Sequence, residues 1–136
     1  IETNERGVGM THGLTYGYDA FRNPQRLWDH LDQVKARENE IWVGTFREVV
    51  SYIKEREETK LEVVNKKNTL LITPELKLDQ ELFVEPLTMV ITGKEIKKVT
   101  VKQGKRRLPV QITDDKVLFD FDPYGGMIKV TLKIQK

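Results

Sequence analysis

The chain has 136 residues, 38% of them hydrophobic and 32% charged, with a net charge of +2 and no cysteine. That composition is ordinary for a globular chain and excludes disulfides and thiolate metal sites. No apolar run approaches the roughly 18 residues that cross a membrane, and no basic-apolar-small leader opens the sequence. The chain begins at Ile1 and is expected to be a mature, trimmed or fragmentary product.

The first expected element is Val8-Gly9-Met10-Thr11-His12-Gly13, a short buried strand ending in a turn. A loop follows over residues 14–22, carrying Tyr16, Tyr18, Asp19 and Phe21. Asn23-Pro24 then reads as a helix start, with Asn as N-cap and Pro at the first helical position, where its missing N–H is not needed. Leu27, Leu31 and Val34 recur at helical spacing, Trp28 widens the apolar face, and the helix is expected to reach about Glu38. Ile41-Trp42-Val43-Gly44 is a second apolar run of strand type. Thr45 and Glu48 fit a capping box, and Phe46, Val49, Val50 and Ile53 form an amphipathic stripe on a helix ending near Glu58. Strand, loop, helix, strand, helix is the rhythm of folds with parallel strands.

The pattern changes at Thr59-Lys60, and two domains are expected, 1–60 and 61–136. Strand-like runs follow at 61–65, 69–73, 83–92, 96–103, 106–112, 116–121 and 126–135. Ile128, Val130, Leu132 and Ile134 alternate with polar residues, as do Leu108, Val110 and Ile112, and Val117, Phe119 and Phe121. Gly104, the Asp114-Asp115 pair and Pro123-Tyr124-Gly125-Gly126 supply turn chemistry between them. Short strands at this spacing indicate a small sandwich. The first sixty residues offer too little material to cover both faces of a parallel sheet. Their core must be completed by the sandwich, by a second chain, or by N-terminal sequence, and the last is the expectation.

Charge is unevenly shared: nine Lys/Arg against eleven Asp/Glu over residues 1–60, fourteen against ten over 61–136. Lys102, Lys105, Arg106 and Arg107 gather around Gly104, but the lysines alternate with apolar residues as on any solvated sheet face. Nucleic-acid binding is not expected. Of the two histidines, His12 stands at the C-terminal end of an expected strand, where α/β enzymes place working residues. Its imidazole can act as general acid or base near neutrality, or simply bond to backbone. His30 lies mid-helix between Asp29 and Asp32, a polar boundary position and not a converging metal set. No phosphate-binding glycine loop or Gly-x-Ser-x-Gly elbow is present.

Residues 6–58 resemble the end of a polysaccharide deacetylase domain, a family of carbohydrate esterases. The resemblance rests on Val8-Gly9-Met10-Thr11-His12-Gly13, Tyr18, and above all Glu40-Ile41-Trp42-Val43-Gly44-Thr45-Phe46-Arg47-Glu48-Val49-Val50-Ser51-Tyr52-Ile53. It implies an α+β chain: the terminal βαβα units of a distorted (β/α) barrel over 1–60, then a β-sandwich accessory domain over 61–136. It implies hydrolysis of acetyl groups on a polysaccharide or acetylated oligosaccharide by a periplasmic or secreted bacterial enzyme. His12 would be the catalytic acid, and Tyr16, Tyr18 and Asp19 on the loop behind it the candidate substrate-binding residues. In such enzymes an Asp-His-His set binds a divalent metal, commonly zinc, that polarises the carbonyl and activates water. That set belongs to earlier strands. No metal ligand is assigned in this chain, which is expected to be inactive without the missing barrel segment. The alternative is a non-catalytic β-sandwich module that binds carbohydrate or supports a barrel, with Tyr124 as its one candidate sugar platform. An unrelated α+β domain is the third reading.

Overall fold

A computed structural model describes residues 7–10, 13–18, 20–93, 96–113 and 115–134, the side chains of residues 97, 133 and 134 excepted. Two helices, α1 (Gln25–Lys35) and α2 (Phe46–Glu58), precede eight strands. These are β1 (Lys60–Lys66), β2 (Thr69–Glu75), β3 (Leu87–Thr92), β4 (Ile96–Gln103), β5 (Arg106–Leu108), β6 (Gln111–Ile112), β7 (Lys116–Phe121) and β8 (Ile128–Ile134). The chain divides into two compact units, Ile1–Phe46 and Arg47–Lys136. The switch from helix to strand falls at residue 60 as the pattern indicates. The compact units divide earlier, and α2 travels with the strands.

In the first unit, α1 starts as its sequence dictates. The Asn23 side-chain oxygen accepts the Gln25 N–H at 3.0 Å, and the Asn23 carbonyl accepts the Arg26 N–H at 3.2 Å. None of the helix is buried, and Trp28 and Leu31 remain exposed. Neither strand expected here is seen among the described residues, and Thr11 and His12 of the first lie outside them. Residues 7–10 and 41–45 lie outside any strand, and Val8, Met10 and Val43 are exposed, with Trp42 55% exposed. A strand exists only through its hydrogen-bonding neighbours, and the described residues of this unit supply none. The fold is α+β with antiparallel sheets. It shows no βαβα barrel.

The second unit is built on two antiparallel sheets, ordered β1-β2-β8-β4-β5 and β3-β7-β6. Period-two alternation sends one face of each inward. Val117, Phe119 and Phe121 of β7 and Ile128 and Val130 of β8 are buried, as their spacing requires. They join Ile72, Leu87, Val99, Val101 and Leu108 in one apolar cluster drawn from both sheets. Residues 106–112, expected as one strand, are two. Pro109 has no N–H to donate to a ladder, and there the chain leaves the five-stranded sheet as β5 and joins the three-stranded sheet as β6. Residues 83–86 are likewise not strand, and β3 begins only after Pro86.

The β1–β2 hairpin turns through Lys67 and Asn68, pairing Lys66 with Thr69. Lys67 sits at φ 54°, a left-handed conformation that costs a side chain with a Cβ. Lys67→Gly should therefore stabilise the β unit by about 0.5–1 kcal/mol in urea denaturation, the relief of strain outweighing glycine's extra unfolded-state entropy.

Candidate functional site

The catalytic candidate His12 and the loop residue Asp19 lie outside the described residues. Between them the loop over residues 13–18 is described. A Cβ at Gly13 would collide with the Tyr16 carbonyl oxygen, so glycine is required for the chain to fold back on itself there. Gly17 follows at φ 105°. This tight path presents Tyr16 (88% exposed) and Tyr18 (81%) to solvent. Each phenol offers a ring face and a hydroxyl, the two kinds of contact that sugars accept.

Beyond the loop, Ala20, Phe21, Arg22, Asn23 and Arg26 line an open concavity of about 700 Å³. Two guanidinium groups beside it suit an oxygen-rich or acidic ligand. Neither arginine stands out from the spacing of motifs. One signal was present: Arg26 is a cation in the first turn of α1, the end where the helix dipole disfavours positive charge. Arg22, at φ 59°, is held in the left-handed region.

His30 is exposed on α1. Asp29 accepts a hydrogen bond from the Gln25 amide at 2.8 Å, four residues away on the same helix. Among the described residues no three His, Asp or Glu side chains converge as a metal site. Among the described residues no donor set fits the Asp-His-His chemistry implied by the resemblance, and no step through a metal is assigned to this chain.

In the second unit, which takes α2 from Arg47 on, the helix turns its more polar side inward. Ser51 and Glu55 are its buried residues, and Tyr52 packs against the apolar core. Of the apolar stripe, Phe46 remains 70% exposed and Val50 is exposed too, while Val49 and Ile53 are half-buried. The helix lies on the β unit through its more polar side. Lys54 places its ammonium 5.1 Å from the centre of the Phe83 ring, adding a cation–π contact to this docking.

Tyr124 does not form the exposed platform suggested by its turn. It is half-buried, and its hydroxyl donates to the Leu78 carbonyl at 3.2 Å. Burial first, then the Glu55, Asp79 and Asp122 carboxylates, push its phenol above the ordinary tyrosine range. Phe119 and Phe121 are core residues, and Phe83 is half-buried beneath Lys54. Lys102, Lys105, Arg106 and Arg107 are exposed on the β4–β5 hairpin, which turns at Gly104 (φ 55°). A cleft of about 680 Å³ opens where β5 hands over to β6. Arg106, Gln111 and the cross-strand pair Thr88–Asp120 contribute its polar lining. The Thr88 hydroxyl donates to Asp120 at 2.6 Å.

No helix among the described residues is long and apolar enough to cross a membrane. No protein-family model, no curated protein and no solved structure matches the chain.

Proposed function

We propose that this chain is the C-terminal part of a metal-dependent polysaccharide deacetylase or acetyl-xylan-type esterase, with residues 1–60 as the last βα units of its barrel. The observation that carries the reading is the orientation of α2. Its polar side is engaged with the β unit through Ser51 and Glu55, while Phe46 and Val50 stay open. Trp42 and Val43, also exposed, belong to the same motif that resembles the final barrel unit. Large apolar residues left exposed in each unit suit burial against a partner, and the partner proposed is the remainder of the barrel.

On this reading His12 protonates the departing sugar oxygen, and Tyr16, Tyr18 and Asp19 hold the acetylated saccharide in position. A divalent metal, zinc by the family resemblance, is held upstream. The β unit supports the barrel: its aromatics Phe83, Phe119, Phe121 and Tyr124 are buried or half-buried, which favours that role over sugar stacking. The enzyme acts in the periplasm or outside a bacterial cell.

The test is the intact protein, expressed with whatever sequence precedes Ile1. That sequence should carry an Asp pair and a spaced His pair, and the protein should release acetate from acetylated oligosaccharides in the presence of zinc. His12→Ala should cut turnover by about 10²–10⁴-fold, the usual worth of general acid catalysis, with metal content unchanged. Loss of metal from the variant would make His12 a ligand. Upstream sequence without those carboxylates and histidines, or no acetate release, would overturn the reading.

A further inference from the structure

Glu55 is wholly buried, 0% exposed, on the last turns of α2. One carboxyl oxygen accepts the Glu85 backbone N–H at 3.0 Å. The other, Oε2, is buried without a hydrogen-bond partner. A carboxylate so placed would leave a charge uncompensated away from water, whereas a neutral carboxyl leaves only a polar atom unpaired, a far smaller cost. The charges acting on it make ionisation harder still. They are the carboxylates of Glu85, from the loop between β2 and β3, and Asp122, which follows β7. On its own helix the neighbouring cation Lys54 is turned to the Phe83 ring.

What this carboxyl holds is the β2–β3 loop. That loop closes on itself through Asp79, whose carbonyl accepts the N–H groups of Leu82 and Phe83 and whose side chain accepts that of Glu81 at 2.9 Å. It is tied to the rest of the unit at Leu78 by the Tyr124 hydroxyl and at Glu85 by Glu55. Glu55, once ionised, would add its charge to those of Asp79 and Asp122 that act on Tyr124, so the two anchor points share one electrostatic neighbourhood.

We propose that Glu55 is a proton-operated latch: as a neutral acid it fastens the C-terminal part of α2 to the β2–β3 loop, and on ionisation it lets that loop go. Desolvation is the main cause that holds the carboxyl above the ordinary glutamate range, the Glu85 N–H opposes it, and the two neighbouring carboxylates add to it. The sign of the linkage follows. Glu55 binds its proton more tightly in the folded protein than in the unfolded one. Its stabilisation is full below the ordinary glutamate value of about 4.3 and is lost as pH rises through the raised folded value.

The test compares the full chain with its Glu55→Gln variant, which keeps an oxygen for the Glu85 N–H and cannot ionise. Urea denaturation from pH 4 to 8 should show the difference in folding constant between variant and parent growing, to the variant's advantage, by at most about tenfold per pH unit between the ordinary glutamate value and the raised folded one, and levelling off above it. Amide exchange at Glu85 should accelerate with pH in the parent, beyond the intrinsic rise, and stay protected in the variant. Parallel pH profiles for the two proteins would overturn the proposal. Should the variant fail to fold, the ¹³C titration of the Glu55 carboxyl in the parent decides. A midpoint above the ordinary glutamate range supports the latch, and one at or below it refutes it.

Discussion

Phe119→Ala should lower the stability of the β unit by about 3–5 kcal/mol, the range for truncating a buried phenylalanine. Small domains have only about 5–15 kcal/mol in total, so the variant should be partly unfolded at 37 °C. Phe119 lies on β7, the central strand of the three-stranded sheet, paired with Met89 of β3. It is flanked on the inward face by Val117 and Phe121, both buried. The neighbouring strands are tied to β7 by their ladders and cannot slide in to fill the space, so the cavity term adds to the lost transfer energy. Far-UV circular dichroism in urea would follow the loss. Val63→Ala is the control: Val63 is exposed on the edge strand β1, and its truncation should change stability by no more than about 0.5 kcal/mol.

The second large effect is expected at Gln103, a buried amide at the end of β4. Its nitrogen donates to the Asp122 carbonyl at 2.7 Å and the Gly126 carbonyl at 3.1 Å. Its oxygen accepts the Asp122 N–H at 3.1 Å. One side chain thus completes the backbone of the turn that carries β7 into β8. Gln103→Ala would strand the Asp122 N–H and the Gly126 carbonyl, while the Asp122 carbonyl keeps the Gly125 N–H at 3.0 Å. At about 1–3 kcal/mol for a buried polar group left unpaired the expected loss is about 2–4 kcal/mol, water reaching part of the turn. Gly125 offers an independent check. A Cβ there would lie 2.7 Å from both Cδ and Nε2 of Gln103. The amide is fixed at both ends and cannot yield without breaking those bonds. Gly125→Ala should therefore destabilise by the same route, and the double variant should fall short of the summed single effects by about 1 kcal/mol or more.

The β unit was legible where burial follows the pleat. Val117, Phe119 and Phe121, and Ile128 and Val130, declare their strands because a two-residue period leaves one face for the core. The break at Pro109 was readable in principle, since a proline inside a strand pattern argues for an edge or an exit. The side of α2 that packs was not readable. An apolar stripe shows that a face wants burial, without showing against what, and here Ser51 and Glu55 took the β unit while Phe46 stayed open. Glu55 has no mark in one sequence, because its burial depends on the Glu85 amide thirty residues away. The strand expected at Ile41-Trp42-Val43 is not formed because pairing is a property of neighbours, and an apolar run carries none within itself. Of the site, Tyr16 and Tyr18 could be placed on a loop from the glycines around them. The role of Tyr124 as a brace could not, since it depends on a carbonyl forty-six residues away.

The junction of α2 and β1 has a mechanical meaning. Only Thr59 separates Glu58 from Lys60, and both its N–H, at 2.9 Å, and its hydroxyl, at 2.6 Å, are bonded to the Glu55 carbonyl. There is no slack in that connection. A load applied to the part of α2 that belongs to this unit, at Val50 for instance, would pass into the sheet instead of being taken up by a swivelling linker. From Arg47 on, helix and sheet are coupled end to end, not strung as beads.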